Sequence, residues 1–180
     1  MSDCCEHKNH HPETDRRQFL KIAALGGGAS LLAATGWIPE AQAGHTDALL
    51  LSCMDFGLMD EIEKYMSGRG MQNKYDHIVL AGASLGAVTD KYPAWNKTFW
   101  EHLDIAIKLH KIHEVIVMDH RDCGAYKVIM GEGHTKDPGI EKIAHAVQLK
   151  KLRSMIIDKY PKLKVETLLM SLDGKVESIE

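Results

Sequence analysis

Apolar residues fall along this chain in short blocks separated by glycine and proline, and the period inside each block assigns it to strand or helix. Asp47 to Ser52, read Asp-Ala-Leu-Leu-Leu-Ser, predicts a buried strand that ends in Cys53-Met54-Asp55-Phe56-Gly57. Leu58 to Ser67 predicts a helix with Leu58, Ile62, Tyr65 and Met66 on one face, stopped by Gly68 and Gly70. His77 to Ala81 predicts a second strand, followed by a turn of small residues, Gly82-Ala83-Ser84-Leu85-Gly86. Trp95 to Lys111 predicts an amphipathic helix with Trp95, Phe99, Leu103, Ala106 and His110 at helical spacing. Glu114 to Met118 predicts a third, buried strand that stops at Asp119, with Gly124 breaking any regular continuation. Asp137 and Pro138 are the N-cap and first residue of a long helix that runs to Tyr160 and ends at Pro161. Lys164 to Ser171 and Lys175 to Ile179 predict two strands joined at Asp173-Gly174, a hairpin signal. Met54 and Met118 read as core.

Strands alternating with helices predict an α/β domain: a mainly parallel, twisted sheet flanked by helices, with an antiparallel hairpin at the carboxyl-terminal edge. In such sheets ligands sit beyond the carboxyl ends of the strands. Cys53 ends the first strand, and His120 and Cys123 follow the third. If those strands are parallel neighbours, two thiols and one imidazole converge at one edge. Two thiolates, one imidazole and an open position are the donor set of a catalytic zinc site.

Composition narrows the partners. The 180 residues carry a formal net charge of −3 with no basic stripe, which argues against nucleic acid. Residues 1–43 read as an address and 44–180 as the folded domain. Asp15-Arg16-Arg17-Gln18-Phe19-Leu20-Lys21 resembles a twin-arginine export motif, although Thr14 stands one position early. A Gly-rich apolar run, Ile22 to Ile38, leads to Ala41-Gln42-Ala43, a small-x-small cleavage pattern. The run is too short and too rich in glycine for an anchor. The expectation is a periplasmic mature chain that starts at Gly44 and leaves the membrane after cleavage. Cleavage discards Cys4 and Cys5 and leaves Cys53 and Cys123. Two cysteines in an exported protein read first as a disulfide. A metal loaded before export would instead hold both as thiolates, and the sequence leaves both readings open.

Cys53-Met54-Asp55-Phe56-Gly57 and Asp119-His120-Arg121-Asp122-Cys123-Gly124 together resemble the paired motifs of the β-class carbonic anhydrases, Cys-x-Asp-Ser-Arg and Gly-His-x-x-Cys-Gly. The approach Ile112-His113-Glu114-Val115-Ile116-Val117 and the ending from Glu166 to Val176 are also similar to that family. The resemblance covers nearly all of Gly44 to Glu180. It implies a lyase with Zn2+ on Cys53, His120 and Cys123 that hydrates carbon dioxide reversibly through zinc-bound hydroxide. It implies Asp55 as the catalytic residue orienting the attacking water, backbone turns at Gly82 and Gly124 beside the substrate, and a homodimer or higher even oligomer. Two departures shift the expectation. The family's Arg is Gly57 here, so the chain lacks a side chain to hold Asp55 off the metal, and Arg121 and Lys127, beside the His120 and Cys123 motif, are the candidate cations to replace it. Leu80-Ala81-Gly82-Ala83-Ser84 replaces the family's Arg-Asn-Ala-Gly-Asn. The alternatives are a zinc hydrolase of carbonyl sulfide or carbon disulfide, and a non-catalytic zinc protein closed by Asp55. His77, His102, His110, His113, His134 and His145 read as surface or helix-face histidines.

Changing both Arg16 and Arg17 to Lys should leave the precursor in the cytoplasm. Fractionation that finds the double variant exported as before would refute the twin-arginine route.

Overall fold

The computed structural model describes residues 45–135 and 137–180; the leader lies outside them. Strand β1 (Ala48–Ser52) pairs in parallel with β2 (Tyr75–Val79) on one side and with β3 (Glu114–His120) on the other. Strand β4 (Lys164–Met170) continues the parallel sheet beyond β3, and β5 (Val176–Ser178) closes it antiparallel to β4. The order is β2-β1-β3-β4-β5, the α/β sheet with an antiparallel edge that the sequence predicts.

Alternate residues of the central strands feed two cores. Leu49, Leu51, Val115, Val117 and Leu169 point to one face, where Leu85, Phe99, Leu103, Leu149, Leu152 and Ile156 cover them. Ala48, Leu50, Ile116, Met118, Leu168 and Met170 point to the other, covered by Leu58, Ile62 and Met66. The second cover is helix α1 (Met59–Gly68) and the short 3-10 turn before it, Phe56–Leu58. The first is built from α2 (Ser84–Val88), α3 (Pro93–Ile105) and α5 (Pro138–Lys159). A parallel strand buried on both faces needs a continuous apolar run, which is why Ala-Leu-Leu-Leu and Val-Ile-Val-Met carry no polar alternation. Among the described residues no helix is long and apolar enough to cross a membrane.

Several differences from the predicted elements lie near the functional edge. Strand β3 does not stop at Met118 but carries Asp119 and His120 in its ladder, both buried. Gly124 does not break the chain; it opens helix α4 (Gly124–Met130). The stretch Gly82-Ala83-Ser84-Leu85-Gly86 is not all turn, because α2 begins at Ser84. Strand β2 begins two residues before His77 and leaves Leu80 and Ala81 to that turn. The long helix after Trp95 changes to a π-turn over Ala106–His110 and ends at Lys111, which takes φ 58. Met54 is exposed, not core; Met118 is buried as predicted. Asp137 caps α5 as its sequence promised, accepting from the N–H groups of Gly139 and Ile140.

Candidate metal centre

Cys53 is the first residue beyond β1 and His120 the last of β3. The register of these strands pairs Ser52 with Met118, so Cys53 and His120 emerge side by side at one edge. Cys123 returns after a turn in which Asp122 takes φ 58, a left-handed conformation that aspartate tolerates better than most residues. That turn is clamped from outside. The Asp122 N–H donates to Glu141, and Arg121 bonds Glu141 at 3.3 Å and Glu177 at 2.7 Å.

One donor atom from each of Cys53, His120 and Cys123 lies within 4.8 Å of the others, and all three residues are buried. The two thiols are free, with their sulfurs 3.8 Å apart. Tetrahedral zinc with Zn–S bonds near 2.3 Å spaces two sulfurs by about the same distance. His120 Nδ1–H donates to the Arg121 carbonyl at 2.9 Å, which leaves Nε2 as a bare acceptor. That Nε2 is buried without a partner, a condition that costs about 1–3 kcal/mol unless something satisfies it. Two free thiols and an orphaned imidazole nitrogen therefore fit a thiophilic divalent metal.

The electrostatics agree. The Cys123 thiol beside it holds Cys53 well below the ordinary thiol range, against the opposing pull of burial; His120 and the Gly82 N–H add to the lowering. The same contact, with burial, pushes Cys123 up. Burial alone would lower His120, but the Cys53 thiolate and the Arg121 carbonyl outweigh it and raise it.

A cavity of about 380 Å³ opens over Cys53. Met54, Phe56, Tyr92, Trp95, Val128 and Ile129 give it an apolar wall, and Asp55 is the acidic group on it. Phe56 stands 94% exposed at this site, and the rings of Tyr92 and Trp95 stack at 4.1 Å between centroids. Gly124 lies on the wall, but its backbone is ordinary; the left-handed residue beside the ligands is Asp122. Gly82 has φ 75 and sits behind Cys53, donating its N–H to the sulfur at 3.3 Å.

Asp55 falls outside the three-residue ligand cluster. Its Oδ1 accepts the Gly57 N–H at 2.9 Å and caps the 3-10 turn. The main chain at position 57 thus holds the carboxylate that no side chain there can hold. Arg121 and Lys127 do not serve: Arg121 is paired with Glu141 and Glu177, and Lys127 with Asp122.

The sequence reading missed a buried polar group next to the ligands. Asp119, 1% exposed, accepts four hydrogen bonds. Ser84 donates from N at 2.9 Å and Oγ at 2.6 Å, Tyr126 from its hydroxyl at 2.6 Å, and His145 from Nδ1 at 2.9 Å. His145 is therefore no surface residue; it is fully buried. The signal lay in α5, whose buried stripe runs Glu141, His145, Leu149, Leu152, Ile156 at helical spacing. The other histidines that can be placed are peripheral: His77 bonds Ser52, His102 bonds Thr98, and His110 pairs with Asp76.

Comparison with known proteins gives concordant results. A family model described as "Putative carbonic anhydrase" matches residues 43–180. The "Uncharacterized protein RC0076" of Rickettsia conorii (strain ATCC VR-613 / Malish 7) is 45% identical over 135 residues, 75% of this chain and 73% of the relative. An "Uncharacterized protein" of Rickettsia bellii (strain RML369-C) is 44% identical over 135 residues, 75% of this chain and 82% of its own. Among solved structures, the carbonic anhydrase of Streptococcus mutans superposes with a TM-score of 0.50 at 16% identity, over 91% of this chain and 96% of that one. A Coccomyxa β-carbonic anhydrase in complex with acetazolamide gives 0.50 at 12% identity, over 91% and 82%. At such identities the structures speak for the fold.

Cys123→Ser should abolish stoichiometric metal binding, measured by elemental analysis. Because metal binding contributes to folding, it should also lower Tm by about 5 °C or more. A variant that retains full metal and unchanged Tm would exclude Cys123 as a ligand.

Proposed function

The chain belongs to the carbonic anhydrase family whose model it matches over residues 43–180, and from that premise we propose a zinc-dependent lyase that reversibly hydrates carbon dioxide. One observation carries the reading: two free thiols and an imidazole with an unpartnered Nε2 converge beside an apolar cavity that also holds a carboxylate. When bound, zinc supplies a Lewis acid that lowers the pKa of water to about 7 and so provides a nucleophile at neutral pH. Cys53, Cys123 and His120 would hold the metal through two sulfurs and one ring nitrogen. The Arg121 carbonyl fixes the His120 ring so that Nε2 faces the cluster. Asp55 Oδ1 stays on the Gly57 N–H, and Oδ2 accepts a hydrogen bond from the attacking water and orients it. Met54, Phe56, Trp95 and Val128 give a non-polar, linear substrate an apolar wall to rest on. The net change is one water and one carbon dioxide to bicarbonate and one proton, which leaves to buffer.

The same apolar wall favours a second reading, hydrolysis of carbonyl sulfide or carbon disulfide, whose carbons are equally electrophilic and whose sulfur ends prefer apolar surroundings. The proposal includes export to the periplasm, supported by Arg16-Arg17 and Ala41-Gln42-Ala43. It also includes a homodimer, supported by exposed apolar side chains at Met54, Phe56 and Val128 and along α5 at Ile140, Ile143 and Val147. Sedimentation of the chain at micromolar concentration should give at least a dimer; a clean monomer would refute that part.

Stopped-flow hydration of carbon dioxide by the zinc-loaded protein should show turnover at neutral pH, since Asp55 is tied to its own turn. Asp55→Asn should cost about 10²-fold or more in kcat. Activity that emerges only toward pH 9, above the usual zinc–water range, would mean that Asp55 takes the fourth position. No hydration at any pH, with sulfide released from carbonyl sulfide or carbon disulfide, would transfer the assignment to the second reading; neither activity would leave a zinc-binding protein.

A further inference from the structure

We propose that Asp119 is the positioning residue of the metal centre: one buried carboxylate fixes the three segments that carry or support Cys53, His120 and Cys123, and through Ser84 it sets the N–H···S bond to Cys53. This rests on the metal-centre reading above.

Each segment can be traced to the carboxylate. His120 follows Asp119 in the β3 ladder, so the carboxylate's anchorage fixes the strand end that presents the imidazole. Cys123 is the N-cap residue of α4, and Tyr126 on that helix donates to Asp119 Oδ2 at 2.6 Å. The third segment is the turn Gly82-Ala83-Ser84. Ser84 gives Asp119 two bonds, and Gly82 gives Cys53 Sγ one. Ala83 between them takes φ 39 and ψ −104, a conformation that a residue with a Cβ rarely adopts and holds only when its surroundings impose it. Ser84 is fully buried, and its two bonds to Asp119 are the side-chain restraint on the turn, added to the backbone bonds from Ala83 N–H to Leu80, Leu85 N–H to Gly82 and Ala87 N–H to Ala83. If the bonds to Asp119 are released, the peptide between Ser84 and Gly82 can relax. The Gly82 N–H is one residue away and turns off the sulfur. His145 backs the carboxylate from α5, its ring 3.9 Å from that of Tyr126 between centroids.

A buried carboxylate is a poor device for stability alone, because apolar replacements of buried ionic groups are often neutral or stabilising. Here its four bonds converge on the metal ligands' own segments. An N–H donor to a thiolate withdraws charge from sulfur. Losing it makes the sulfur a stronger donor, so sulfur-to-metal charge transfer needs less energy. Losing the anchor also loosens the ligand set, and outer partners of metal ligands are commonly worth 10–100-fold in affinity.

The test loads the full chain with Co2+ and records the sulfur-to-cobalt charge-transfer band, Co2+ affinity by chelator competition, and Tm. Asp119→Asn should move the band to longer wavelength and weaken Co2+ about 10–100-fold, and Ser84→Ala, which loses the hydroxyl bond but keeps the backbone N–H bond to Asp119, should move both in the same direction by a smaller amount. Leu152→Ala, a core truncation in α5 with no bond to the network, should lower Tm and leave the band in place. If Asp119→Asn does not fold, Ser84→Ala against Leu152→Ala decides. A wild-type protein with no sulfur–cobalt band overturns the metal centre and this inference with it. A normal wild-type band that neither Asp119→Asn nor Ser84→Ala shifts, or that Leu152→Ala shifts equally, overturns the positioning role and leaves the metal centre standing.

Discussion

Parallel pairing of β1 with β3 in a single register is the constraint on which the rest depends. Ser52 opposite Met118 puts Cys53 and His120 at one edge. A slip of one residue would turn every β1 side chain to the other face. It would send Leu49 and Leu51 to the α1 side and separate the sulfur from the imidazole. Both faces of these strands are buried under helices, so the two cores forbid that slip. The metal ligands therefore need no interaction of their own to find one another; the apolar packing of Leu-Leu-Leu against Val-Ile-Val-Met does it for them.

Within that apolar frame the centre is built mostly from main-chain groups. The Gly82 N–H meets one sulfur, the start of α4 lies at the other, and the Arg121 carbonyl orients the imidazole. Asp55 follows the same pattern, tethered to the N–H of residue 57. A Cβ at that position would come within 3.2 Å of the carboxylate oxygen, so the glycine that removes a guanidinium also makes room for the tether. Main-chain donors lose little freedom on ordering, which suits a site that must hold its geometry before anything binds.

The ligand set was readable because its two motifs sit at strand ends, where a break in an apolar run is conspicuous. The mainly parallel sheet and the closing hairpin followed from the same runs and from Asp173-Gly174, whereas the strand order did not. The polar interior was not readable. Asp119 looked like the end of a strand because a carboxylate in an apolar ladder contradicts local pattern, and its four donors come from residues 84, 126 and 145, far apart in sequence. His145 was hidden for the same reason, although its place in the buried stripe of α5 marked it as interior. Met54 failed in the opposite sense: an apolar residue next to a ligand reads as core, yet it lines a cavity mouth. Arg121 and Lys127 are close in sequence to His120 and Cys123, not to Asp55, and their ion pairs face Glu141, Glu177 and Asp122.

The four donors on Asp119 also bear on how such a centre is inherited. Ser84, Tyr126 and His145 meet one carboxylate in a buried space, so losing any one leaves that carboxylate with fewer donors than it has now. The set is neither gained nor shed one residue at a time without passing through a weakened chain. Grafting Cys53, His120 and Cys123 onto another sheet would transfer the ligands but not their settings, unless the aspartate and its three partners travelled with them.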